Sequence, residues 1–194
     1  MWNYLKNSFI FAKEMILHPT EATKKISEIK GAIIYLLIIS LIPAILNGII
    51  SFYTVSDISE RPLSIFFSVT FTLIYFIFVM IGAAFIHGFG KLFKLIKKDY
   101  SFTFAALAYA STPAILFGWF QSLLGLISIY LDVIFGLILA IWVFILQIYA
   151  LSNQHKIDKR RAILLVLIPA IIFAVITIIL AGIAYMYISA IFTS

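Results

Sequence analysis

The sequence predicts an all-α polytopic membrane helix bundle, with five transmembrane helices preceded by an amphipathic interfacial helix. Three observations carry that prediction. First, 64% of the 194 residues are hydrophobic and only 11% are charged, against roughly 25% charged in a typical soluble domain. The mean hydropathy is +1.15. A soluble fold of this size could not cover its surface with so few charges, so lipid must be its solvent. Second, the charged positions divide the chain into long uncharged stretches: Gly31 to Ser56, Pro62 to Gly90, Tyr100 to Leu131, Val133 to His155, and Ala162 to Ser194. Each exceeds the roughly 20 residues a helix needs to cross hydrocarbon. Third, the stretches are continuously apolar, whereas the strands of a membrane barrel alternate. Backbone groups in lipid must be paired within their own segment, so these stretches are helices.

The basic residues set the orientation. With the amino terminus in the cytoplasm, the inside segments are 1–30, 91–100 and 152–161. They hold Lys6, Lys13, Lys24, Lys25 and Lys30, then Lys91, Lys94, Lys97 and Lys98, then Lys156, Lys159, Arg160 and Arg161. That is 13 of the 14 basic residues, and only Arg61 lies outside. Cytoplasmic connections carry such an excess. Residues 102–150 must then cross an even number of times, and two crossings with a tight turn between Gln121 and Asp132 fit the length. The carboxyl terminus falls outside. The first apolar run is longer than the core of a signal peptide and follows five lysines, so no cleavage is expected.

The chain divides into a cytosolic segment, 1–30, and a five-helix domain, 31–194. In the first, Trp2, Leu5, Phe9, Ala12 and Ile16 follow the rhythm of one helical face. Such a face with lysines beside it suits the headgroup layer; packing on the ends of the bundle is the alternative. His18-Pro19 is expected to break this helix, because a residue before proline disfavours α geometry. A second short helix from about Thr20 to Ile29 would follow, with Pro19 near its first turn.

Chemistry is sparse. The absence of cysteine excludes disulfides, thiolate metal sites and cysteine nucleophiles. His18, His87 and His155 lie too far apart in sequence to suggest a site, and neither H-E-x-x-H nor G-x-S-x-G occurs. Gly88-Phe89-Gly90-Lys91 lacks the spacing of a phosphate loop. Asp132 is the only carboxylate between residues 102 and 150. No enzyme activity, cofactor or metal is expected. The net charge of +6 sits at the ends of apolar runs, which points to a membrane face rather than to nucleic acid. A polar path would have to use Asn47, Tyr109, Ser111, Thr112 and Gln147, with His87 near the cytosolic interface. The plainer reading of each is an inter-helix hydrogen bond worth under about 1 kcal/mol.

Two packing patterns stand out. Pro43, Pro113 and Pro169 are each followed by Ala-Ile, in spans one, three and five. Each frees a carbonyl and bends its helix, so three parallel kinked helices could form the core. Ala106, Ala110 and Pro113, with Ala105 and Ala108 nearby, offer a small-residue face on span three. Gly136 and Ala140 form a small-xxx-small pair on span four.

Leu107-Ala108-Tyr109-Ala110-Ser111-Thr112-Pro113 resembles the Tyr-Ser-x-x-Pro-type signature of the Yip membrane-protein family, the Ypt/Rab-interacting proteins. The resemblance extends to Trp142, His155, Arg161-Ala162 and Pro169, and upstream to Leu17-His18-Pro19-Thr20. It covers most of the chain through short motifs. It implies a five-span plan with a cytosolic amino terminus, and Tyr109, Ser111, Pro113, Trp142, Arg161 and Pro169 as the family's positions. Eukaryotic members act in membrane traffic and bind prenylated small GTPases. This sequence has neither a long acidic amino-terminal region nor the D-L-Y-G-P motif, and its serine and proline stand closer together. It is similar to the compact archaeal and bacterial members, which implies a prokaryotic cytoplasmic membrane. The expected function is a non-enzymatic adaptor or organiser acting through its basic cytosolic face. Its expected partners are the bilayer, anionic lipid at that face, and a membrane-protein partner or second copy. The alternatives are a small transporter, channel or lipid-translocating protein with a polar path between spans one, three and four, or an accessory subunit of a larger complex.

Overall fold

The computed structural model describes residues 2–26, 29–54 and 61–193. The helices are α1 (Trp2–Leu17), α2 (Pro19–Ala22), α3 (Ile29–Thr54), α4 (Arg61–Leu92), α5 (Tyr100–Ala110), α6 (Thr112–Ile127), α7 (Ile129–His155) and α8 (Lys159–Thr193). Five stretches are long and apolar enough to cross a bilayer: Gly31–Thr54, Ile74–Leu92, Tyr100–Ile127, Ile129–His155 and Lys159–Leu180. The third is built from two helices, α5 and α6, because the chain breaks at Ser111.

The alanine-rich helix lies at the centre. Every residue of α5 from Thr103 to Ala110 is buried, with α3, α4 and α7 packed around it. Ala105, Ala106, Ala108 and Ala110 let those helices approach closely, the usual device where lipid supplies no hydrophobic drive between helices. Large apolar side chains lie instead on the outside, among them Ile134, Ile138, Ile141, Ile171 and Val175, where hydrocarbon is their solvent. Gly136 lies beneath the Gln121 side chain; a Cβ there would stand 2.7 Å from Nε2. Its expected partner Ala140 is exposed, so the pair forms no common interface within the chain.

The three prolines do not share a core. Pro43 in α3 and Pro113 at the start of α6 belong to helices in contact, but α8, which carries Pro169, packs only on α4 and α7 among the described residues. Apolar side chains all round α8 suit a helix on the lipid-facing side as well as a central one. Proline position therefore could not locate it.

The amino-terminal segment packs on the bundle. α1 buries Ser8, Ala12 and Met15 against α3, α5 and α6, and leaves Phe9, Ile10 and Leu17 exposed. Its inward face is therefore rotated from the predicted stripe: Ala12 points in and Phe9 points out. The break falls at His18, with Pro19 opening the next helix. That helix stops at Ala22, short of the expected Ile29, because Thr23 is captured. Thr23 Oγ1 donates to Pro19 O at 2.8 Å, and it accepts from Asn153 Nδ2 at 2.8 Å. Gln154 Nε2 donates to the Thr23 carbonyl at 3.0 Å. Lys25 pairs with Glu14 at 3.1 Å across the same turn.

The connections close tightly. α7 starts at Ser128, whose Oγ accepts from Tyr130 N at 3.2 Å, inside the stretch expected to turn. It ends at Lys156 in the left-handed region, φ 54°, and Ser152 Oγ donates to Ile157 O at 2.7 Å. After α4 the chain folds back, and Gly90 O accepts from Leu95 N at 2.8 Å. Gly90 permits a close approach: a Cβ there would stand 2.7 Å from the Ile96 side chain and 3.1 Å from that of Leu165, so those side chains would have to shift. The 93–99 and 156–158 connections and the Thr23 latch thus meet at one end of the bundle, its basic end. Ser128 lies at the other.

The chain has no cysteine, so single-cysteine variants report sidedness directly. In sealed vesicles, Lys94→Cys and Lys156→Cys are expected to react with a membrane-impermeant maleimide from the same side, and Tyr130→Cys from the opposite side. Labelling of all three from one side would contradict the order of crossings.

Candidate functional site

The break in the third span is built around an unpaired carbonyl. Pro113 has no N–H, so the carbonyl four residues earlier, on Tyr109, loses its helical donor. The Thr112 hydroxyl supplies a replacement by donating to Tyr109 O. Its single proton is then committed, so the Tyr35 hydroxyl, which meets Thr112 Oγ1, is the donor in that second bond. Next to it, Ser111 Oγ donates to Leu107 O at 2.8 Å, while Ser111 N bonds the same carbonyl at 3.0 Å. Tyr75 of α4 brings its hydroxyl to Ser111. Ser111 has φ −75° and ψ −3°, a turn conformation that redirects the chain from α5 into α6.

Aromatic rings seal this break. Phe11 of α1 and Tyr35 of α3 each stand 4.5 Å, centroid to centroid, from Tyr109, and 5.9 Å from each other. Offset and edge contacts of this kind contribute beyond the area they bury. Tyr109, Ser111, Thr112 and Pro113 are all buried. The site therefore joins α1, α3, α4, α5 and α6 at one point.

A second polar cluster lies at the basic end. Thr103 Oγ1 stands 2.9 Å from His87 Nδ1 and 2.9 Å from His155 Nε2. A hydroxyl has one proton and two lone pairs, so Thr103 donates to at most one of the two imidazoles, and the tautomers set the direction of each bond. The Nδ1 atom of His155 is buried with no partner among the described residues. His87 meets Tyr100 edge-on at 5.8 Å, and the Tyr100 hydroxyl donates to Met80 O at 2.9 Å. This corrects the reading that the histidines are too distant to form a site: His87 and His155 meet through Thr103. The signal was present in the charge pattern, which already placed the ends of spans two and four on one side. Among the described residues no group of three His, Asp or Glu is arranged to hold a metal ion.

The remaining expected residues lie elsewhere. Trp142 stacks on Phe117 of α6 at 6.0 Å and 19°. Asn47 Oδ1 is buried without a partner among the described residues. Gln147 lines a cavity of about 340 Å³ between α4, α7 and α8, a wall it shares with Pro169 but not with Asn47, Tyr109, Ser111 or Thr112. The five polar residues of the candidate path are therefore divided among separate places. At the basic end, Lys94, Lys97, Lys156, Arg160 and Arg161 are exposed. Lys98 lies 4.4 Å over the Phe102 ring and Lys159 lies 4.3 Å over Tyr149. Lys91 Nζ donates to Lys97 O at 2.9 Å.

Five apolar spans, the third of them containing the buried central helix α5, define an integral membrane protein of the polytopic helical class. The family model for the Yip1 domain matches residues 13–190, and the chain belongs to that family. No curated protein and no solved structure gives a significant match.

Thr112→Val is expected to lower stability by about 1–3 kcal/mol, because it leaves both the Tyr109 carbonyl and the Tyr35 hydroxyl unpaired. Thr112→Ser keeps the hydroxyl and is expected to recover most of that loss. Thermal unfolding in mild detergent measures both; equal losses for the two variants would show that the hydroxyl is not what holds the break.

Proposed function

We propose that this protein is a non-enzymatic membrane adaptor or organiser that recruits a protein partner to its basic end. In this reading the amino terminus and the basic end face the cytoplasm of a prokaryotic cell, in keeping with the excess of lysine and arginine on cytoplasmic connections. The supporting observation is uncompensated charge. Segments 91–99 and 156–161 carry eight basic residues, Lys91, Lys94, Lys97, Lys98, Lys156, Lys159, Arg160 and Arg161, against two carboxylates, Asp99 and Asp158. Among the described residues the one ion pair is Lys25 with Glu14, and none of the eight is paired with a described carboxylate. Positive charges held on short, closed turns form a fixed pattern that an acidic surface can meet, each worth about 1 kcal/mol near an anionic membrane surface.

Affinity purification from native membranes in mild detergent, followed by mass spectrometry, tests this. The wild-type protein is expected to retain a stoichiometric protein partner, and the combined Lys94→Ala, Lys97→Ala, Arg160→Ala, Arg161→Ala variant to lose it while remaining monodisperse. A partner retained undiminished by that variant, or a wild-type protein that emerges alone, would count against the adaptor reading.

A further inference from the structure

The groove between α4, α7 and α8 has the dimensions of half a bilayer. Its α4 wall runs from Phe78 through Phe85 to Phe89, and its α8 wall from Val166 through Ala170 to Ile176. Eleven residues of helix rise about 16 Å, close to half of the roughly 30 Å hydrocarbon core. Its volume of about 340 Å³ lies at the low end of the range for ligand pockets, about 300–1,000 Å³. The lining is apolar except for Gln147, whose amide has no hydrogen-bond partner among the described residues. The middle of the groove has free space, since a Cβ added at Gly82 would meet nothing within 4 Å.

The end of the groove marked by Phe89 and Val166 lies toward the basic rim. Gly90 lies against Leu165, which puts Lys91 of α4 and Arg161 of α8, one turn before Leu165, at the same level. Both are exposed. Arg161 has no carboxylate partner among the described residues, and the nearest carboxylate in its own segment is Asp158. An occupant must therefore be apolar for the depth of one leaflet and negative at its head.

We propose that this groove is a binding site for one anionic phospholipid of the leaflet at the basic end, with an acyl chain between α4 and α8 and the phosphate at Arg161 and Lys91. The inference goes beyond the adaptor reading, shares only the positive rim with it, and stands whether or not a protein partner exists. Arg161 selects the head by charge and by its forked donors, which suit phosphate oxygens. The groove walls select a flexible chain by shape. Gln147 has no part in recognising a plain acyl chain.

Native mass spectrometry of delipidated protein, titrated with phosphatidylglycerol or with phosphatidylcholine of matched chains, tests the site. One phosphatidylglycerol per chain is expected, bound at least tenfold more tightly than phosphatidylcholine. Gly82→Phe fills the groove and is expected to weaken both lipids at least tenfold; Ala170→Phe fills it from the opposite wall and serves if the first variant fails to fold. Arg161→Ala is expected to bring the two lipids within about threefold of each other, and Gln147→Leu to leave phosphatidylglycerol binding within about twofold. Equal binding of the two lipids by the wild type, or undiminished binding by a folded groove-filling variant, would overturn the proposal. Loss of binding in Gln147→Leu would also overturn it, since the occupant would then carry a polar group deep in the groove. These outcomes are independent of any protein partner.

Discussion

The structure depends on how one carbonyl is satisfied. Pro113 interrupts a helix inside hydrocarbon, where an unpaired backbone group costs several kcal/mol. The donor comes from the adjacent residue, since Thr112 bonds Tyr109 O with its own side chain. That choice has consequences beyond the break. A threonine hydroxyl whose proton is committed to one bond can only accept from a second partner, and Tyr35 of α3 is that donor. The position of α3 against the α5–α6 junction is therefore fixed by hydrogen-bond accounting as much as by packing. Phe11 then closes the aromatic trio and fixes α1.

Around this point the molecule separates its polar groups into layers. The break holds tyrosine, serine and threonine within the bundle. The basic end holds the His87–Thr103–His155 chain, the Thr23 latch and the lysine-rich turns. Between them α5 presents Ala105, Ala106, Ala108 and Ala110, which let neighbouring helices among α3, α4 and α7 pack closely. α8 is attached to the outside of this unit through α4 and α7 alone among the described residues. That placement leaves the lateral groove whose walls are α4 and α8, with Gln147 behind them.

Much of the fold was legible in the sequence because hydropathy and charge report on solvent. The five crossings, the turn near Ser128, the break at His18-Pro19 and the burial of Ala106 and Ala110 all follow from which residues lipid or water accepts. Partner choice was not legible. In a chain whose helices are apolar all round, hydropathy does not say which face turns inward, so the peripheral position of α8 and the rotation of α1 were invisible. Tyr35 and Thr112 are 77 residues apart, and no local spacing links them. The carbonyl freed by Pro113 was legible, but its repair by the neighbouring Thr112 hydroxyl emerged only with the hydrogen bonds. His87 and His155 looked unrelated because their connection runs through Thr103, a residue with no chemical signature of its own.

The most direct test of this account is a double-mutant cycle between Tyr35→Phe and Thr112→Val, read as unfolding free energy in one detergent. If the Tyr35 hydroxyl donates to a threonine already committed to Tyr109 O, the two losses are expected to be non-additive by about 0.6 kcal/mol, the average for hydrogen bonds between membrane helices, and by no more than about 1.7 kcal/mol. Simple additivity would mean that α3 is held to the junction by packing alone, and would contradict the central role given to the repaired break.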